Sequence, residues 1–194
     1  IVQSLVGSEM CIRDRPIAAI FGPNASGKSS ILSALSFLRL AVRRSFSEKR
    51  ERTFVPRKYF KLAECGQDST TELEATFICD DILFKYGFEC DSKSFLKEWL
   101  FAYPNGGRQV WFERNGTEFE FGNNLKGPNS VVAGMVREDV LFLSAASAAN
   151  HVQLDPVFSF IQNLKIESEF AISPIEIERK LQTDELDDLS LIHI

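Results

Sequence analysis

The sequence predicts an α/β protein: a parallel core built round a phosphate-binding loop, carrying an antiparallel β-meander. Three observations lead there. Gly22-Pro23-Asn24-Ala25-Ser26-Gly27-Lys28-Ser29 fits G-x-x-x-x-G-K-[ST] at every fixed position. That loop stands between an apolar run, Ile17 to Phe21, which reads as a buried strand, and a helical repeat of Ile31, Leu32, Leu35 and Leu38. From Thr71 to Phe121 the pattern changes to alternation with period two.

The loop's residue types carry its chemistry. Gly22 and Gly27 permit backbone angles that a side chain would forbid, so successive N–H groups can turn inward. With the head of the following helix, the backbone of Gly22, Pro23, Asn24, Ala25, Ser26, Gly27, Lys28, Ser29 and Ser30 forms a cradle for phosphate oxygens. Lys28 is placed to reach the β- and γ-phosphates of ATP, and is the candidate catalytic residue. The Ser29 hydroxyl is placed to ligate Mg²⁺. The helix is expected from about Ser29 to about Arg44.

The termini read differently. Leu5 to Arg15 (LVGSEMCIRDR) and Leu189 to Ile194 (LSLIHI) match the two translated orientations of one transposase adaptor used in preparing sequencing libraries. Residues 1–15 and 189–194 are therefore set aside as adaptor sequence. Residues 16–188 are expected to be part of a longer gene product. Lys and Arg number 22 and Asp and Glu 27; removing Arg13, Arg15, Glu9 and Asp14 leaves the net charge at −5. Mild acidity argues against bulk nucleic-acid binding without excluding a local patch. Cys65, Cys79 and Cys90 have no metal-type spacing, and an odd count fits reduced, cytoplasmic thiols better than a disulfide framework. No apolar run is long enough to span a bilayer.

After the helix, the stretch from Arg43 to Lys61 is rich in Arg and Lys. It reads as a solvated helix end and loop, with a contact to a nucleic-acid backbone as the alternative. Strands follow over Glu72–Cys79, Ile82–Glu89, Ser94–Tyr103, Gln109–Arg114 and Thr117–Phe121. The turn signals between them are Asp80-Asp81, Pro104-Asn105-Gly106-Gly107 and Asn115-Gly116. Ala75 to Asp81 superficially resembles a Walker B strand ending in acidic residues. Its polar alternation favours a hairpin, because a central parallel strand is apolar on both faces. Gly122 to Asn129 reads as a loop, Ser130 to Val136 as a short helix, and Val140 to Leu143 as a short strand. Ser144 to Asn150 reads as a small, polar loop near a ligand. A helix is expected from Asp155, as N-cap, through Leu164, and another over Ile175 to Leu186.

The wording F-G-P-N-A-S-G-K-S, then S-I-L-S-A-L-S-F-L-R, resembles the P-loop NTPases of the ABC class, in which Asn24 and Ser26 are typical. More closely it resembles bacterial AAA family ATPases with heads similar to the OLD, RecF and SMC proteins. Tyr86 to Glu89 (YGFE), Glu98 to Pro104 (EWLFAYP) and Leu141 to Ala146 (LFLSAA) support this jointly. The resemblance implies an ABC-type head: a parallel P-loop core, a β-subdomain at about 71–121 and a helical region at about 129–188. It also implies ATP and Mg²⁺ as cofactors, a head-to-head homodimer, and nucleic acid or an effector nuclease as partner, in DNA maintenance or phage defence. No LSGGQ-like signature, Walker B strand or switch histidine is found; these are expected beyond Asp188. Gln153 is the one glutamine near the expected Q-loop, and reads as a surface residue, as does His151. A transporter's nucleotide-binding subunit and a P-loop kinase are the alternatives. The first lacks its signature at the usual distance, and the second lacks a marked acceptor pocket.

Overall fold

A computed structural model describes residue 23, residues 26–46, residues 70–166 and the backbone of Ile192–His193. The strand expected over Ile17–Phe21, most of the basic stretch, the helix expected over Ile175–Leu186 and the adaptor-like N-terminal segment lie outside the described residues.

The first helix, α1, spans Lys28–Arg44. Five strands follow: β1 Thr71–Cys79, β2 Ile82–Cys90, β3 Phe95–Tyr103, β4 Gln109–Asn115 and β5 Glu118–Phe121. Each pairs antiparallel with the next, as the alternation predicts. A two-residue strand, β6 (Ile192–His193), pairs with β1 at Thr76 and Phe77, giving the order β5-β4-β3-β2-β1-β6. The described sheet is thus antiparallel, and a parallel core is not part of the described residues. Asp80 and Asp81 have φ of 49° and 60°, the left-handed pair that a tight two-residue hairpin demands. They form the β1–β2 turn, as expected, and are not the end of a Walker B strand.

Alternation sorts the sheet into two faces. Leu73, Ala75 and Phe77 of β1 and Phe84, Tyr86 and Phe88 of β2 are buried on the inner face. The helices pack there. Phe37 of α1 meets Phe88 edge-on at 5.7 Å, and Phe160 stacks on Phe77 at 4.5 Å. Three short helices complete this layer: α2 Asn129–Ala133, α3 Phe142–Ala148 and α4 Asp155–Gln162.

Two expectations need correction here. Val140 to Leu143 is not a strand. Leu141 is the N-cap of α3, and Phe142 and Leu143 are its first residues. An apolar run this short is ambiguous by periodicity alone, and the alanines that follow favour helix. Consequently Ser144 to Asn150 is not a loop approaching a ligand. Ser144, Ala145 and Ala146 are buried within α3, and small side chains let it sit close to its neighbours. In α4, Leu154 takes the N-cap position and Asp155 lies in the first turn, where its charge favours the helix dipole.

Candidate phosphate-binding site

Gly27 stands at the head of α1 with φ 89° and ψ 3°, a left-handed conformation that strains any residue with a Cβ. Its carbonyl accepts from the N–H of Ser30 at 2.9 Å and of Ile31 at 3.1 Å, which starts the helix. The Ser26 N–H reaches back to the Pro23 carbonyl at 3.3 Å, closing the turn. Lys28 Nζ donates to that same carbonyl at 2.7 Å, so its side chain folds back across the loop.

The arrangement fits an anion. Among the described residues no side chain caps α1, and its first turn carries no acidic residue. Among the described residues nothing lies within 4 Å of where a Cβ on Gly27 would be. Ser29 and Ser30 are exposed in the first turn. The first N–H groups of a helix lack partners within it, and the dipole adds partial positive charge. Pro23, Ser26, Gly27, Lys28, Ser29 and Ser30 are therefore brought together. Gly22, Asn24 and Ala25 lie outside the described residues.

The far end of α1 is gripped. Leu38, Ala41 and Val42 are buried, and Arg39 Nη1 donates to the Leu164 carbonyl at 2.5 Å. A relay then joins α1 to α3. Leu141 N–H donates to Ser45 Oγ (3.2 Å), Ser45 Oγ–H to Ser144 Oγ (2.8 Å), and Ser144 Oγ–H to the Val42 carbonyl (2.5 Å).

Residues 17–123, more than half of the chain, match the family described as "AAA domain, putative AbiEii toxin, Type IV TA system". The chain belongs to this AAA-domain family. The matched range contains the loop, α1 and the whole five-stranded meander, so this is a P-loop NTPase fold at family level. No curated protein and no solved structure matches the chain.

A buried polar cluster also joins the meander to α3, and no single stretch of sequence marks it as a unit. Glu98 of β3 is fully buried. Its Oε1 accepts from the Tyr86 hydroxyl at 2.9 Å and from Leu143 N–H at 3.1 Å. Its Oε2 accepts from Phe142 N–H at 2.5 Å and stands 4.0 Å from Arg114 Nη1. Arg114 in turn donates to the carbonyls of Gly116, Val140 and Arg137. Burial pushes the Glu98 carboxyl up from its usual range, while Arg114, the two N–H groups and Tyr86 pull it back. Burial foremost, with Glu98 beside it, raises the Tyr86 phenol well above its ordinary value. The carboxylate thus caps α3 and fastens it to the sheet. Tyr86, Glu98 and the Leu141–Ala146 stretch, three segments singled out for their wording, meet at this one point. The available signal was parity: Glu98 shares the inner face with Leu100 and Ala102.

Two further residues are corrected or placed. His151 is buried, not on the surface. Its Nε2 lies 2.8 Å from Asn129 Oδ1, and its Nδ1 faces the Leu154 N–H at 3.4 Å. Those partners assign the neutral tautomer protonated on Nε2. Gln153 brackets the loop before α2: its Oε1 accepts from Lys126 N–H at 2.8 Å and its Nε2 donates to the Asn124 carbonyl at 3.0 Å. Cys79 and Cys90 stand at opposite ends of the β1–β2 ladder, about 25 Å apart along the strands and beyond disulfide reach. Among the described residues no group of three or more His, Cys, Asp or Glu gathers as for a metal ion, and no helix is long and apolar enough to cross a membrane.

Proposed function

We propose that this AAA domain binds Mg·ATP through residues 22–30. Lys28 contacts the β- and γ-phosphates, the Ser29 hydroxyl ligates Mg²⁺, and the backbone of Gly22 to Ser30 surrounds the phosphate oxygens. The observation that carries this reading is the left-handed Gly27 at the acid-free head of α1, uncapped among the described residues, inside the family's matched range. Bound Mg²⁺ would offset charge on the phosphates; this chain's own contribution is to hold and orient them. As in the ABC-class heads that the loop resembles, hydrolysis belongs to a head-to-head homodimer, in which each protomer completes its partner's site. The coupled work is DNA maintenance or phage defence, with nucleic acid or an effector nuclease as partner. The family's description as a putative toxin of a Type IV TA system is in keeping with defence rather than transport or small-molecule phosphorylation.

The test is a titration with a fluorescent ATP analogue, with and without Mg²⁺. Lys28→Ala should weaken binding roughly tenfold or more, the loss of a hydrogen-bonded charge. Ser29→Ala should remove the benefit of Mg²⁺ while leaving the metal-free affinity unchanged. Equal affinity for the wild type and Lys28→Ala would overturn the assignment.

A further inference from the structure

The outer face of the meander carries no helix among the described residues. Its register lays out the surface in rows. Glu74, Gly87, Trp99, Glu113 and Glu120 line up across five strands. Nearer the β1–β2 turn, Ile78, Leu83 and Tyr103 form an apolar row. Ile78 is 53% exposed and Leu83 38%, directly opposite one another. Each of the two therefore leaves a large part of its apolar surface in water.

The charges on this face are unbalanced. Six glutamates (72, 74, 89, 113, 118 and 120) face outward with two lysines. Lys85 is paired with Glu74 at 2.8 Å and Lys97 with Glu89 at 2.7 Å. Arg108 lies 3.9 Å over the Phe101 ring and 3.7 Å from Glu113. Glu118 and Glu120 have no such cation among the described residues. Glu113 and Glu120 are opposed in register, a like-charge pair that costs the sheet stability. Beside them a recess of about 290 Å³ opens, lined by Lys97, Trp99, Arg114 and Asn115 and by the carboxylate residues Glu98, Glu113, Glu118 and Glu120, so carboxylates outnumber cations there.

We infer that this face is a docking surface for a basic, apolar-bearing segment of another protein. An arginine or lysine of that segment enters the recess between Glu113 and Glu120, beside Trp99. An apolar side chain covers Ile78 and Leu83. Charge complementarity selects this occupant over the others. A nucleic acid would meet an excess of carboxylates, with Lys85, Lys97 and Arg108 already engaged and the Trp99 indole covering Gly87. A second copy meeting it with the same face would set these glutamates against their own counterparts. The inference does not depend on the nucleotide site.

The experiment is fluorescence anisotropy with a labelled amphipathic peptide of arginine and leucine, and separately with labelled oligothymidine. Glu113→Gln/Glu120→Gln should weaken peptide binding roughly tenfold, as should Leu83→Ser alone. Ser130→Lys/Ala148→Lys makes the same net-charge change on α2 and α3 and should leave binding unchanged. Circular dichroism confirms that each variant is folded. Equal weakening by the Ser130/Ala148 pair would reduce the effect to bulk charge and overturn the inference. So would tighter binding of oligothymidine than of the peptide, no peptide binding at all, or self-association through this face in sedimentation.

Discussion

At Gly87 one added carbon would collide with its surroundings. A Cβ there would stand 2.5 Å from Trp99 Cζ2 and 2.8 Å from the Leu73 carbonyl oxygen. The carbonyl cannot swing aside, and Trp99 is held by its Nε1–H bond to Glu74 at 2.9 Å. Gly87→Ala should therefore cost about 1–3 kcal/mol in urea denaturation; an unchanged midpoint would contradict the close approach. His151 makes a prediction in pH. Burial lowers its pKa from the usual 6.5, and Nδ1 already faces an N–H donor. The folded state thus disfavours the proton that the unfolded chain accepts. This contribution to stability is fully present above pH 6.5 and is lost as pH falls through the folded value. His151→Gln should flatten that part of the stability profile, read as denaturation midpoints across the acid range.

Among the elements, the meander was legible and α3 was not. Leu73, Ala75 and Phe77 alternate with Glu72, Glu74 and Thr76, so one face must be buried and the strand's parity is determined. Asp80-Asp81 and Asn115-Gly116 supply the turns. In Leu141 to Ala148 the two serines do not mark a solvent face, because Ser144 is buried together with Phe142, Leu143, Ala145 and Ala146, so periodicity had little to report. What holds α3 is tertiary: Glu98 from β3 at its N-terminus and Ser45 from the end of α1. Glu98→Ala should destabilise by about 3–5 kcal/mol, since it leaves Arg114 without its carboxylate and two helix N–H groups without an acceptor. Glu98→Gln, which keeps an acceptor, should cost less. Ser144→Ala breaks the relay between α1 and α3 and should cost about 1–2 kcal/mol. Thermal melts of the three variants check the order.

Across the whole molecule, α1 links the two parts of the account. Its head carries the Gly27–Lys28 turn, and its tail is fixed to α3, which Glu98 fixes to the meander. The loop was readable because G-x-x-x-x-G-K-[ST] is a pattern of glycine, lysine and serine at set spacings. The tail's attachment was not, because Ser45 and Ser144 are ordinary residues whose meeting depends on the packed fold. The central claim is that the head of α1 receives phosphate. It is tested most directly by amide ¹H–¹⁵N spectra of the labelled chain with and without Mg·ATP. The account predicts shifts at Gly27, Lys28, Ser29 and Ser30, with the outward-facing amides of the meander unmoved. Shifts confined to the meander, or none at those four residues, would contradict it.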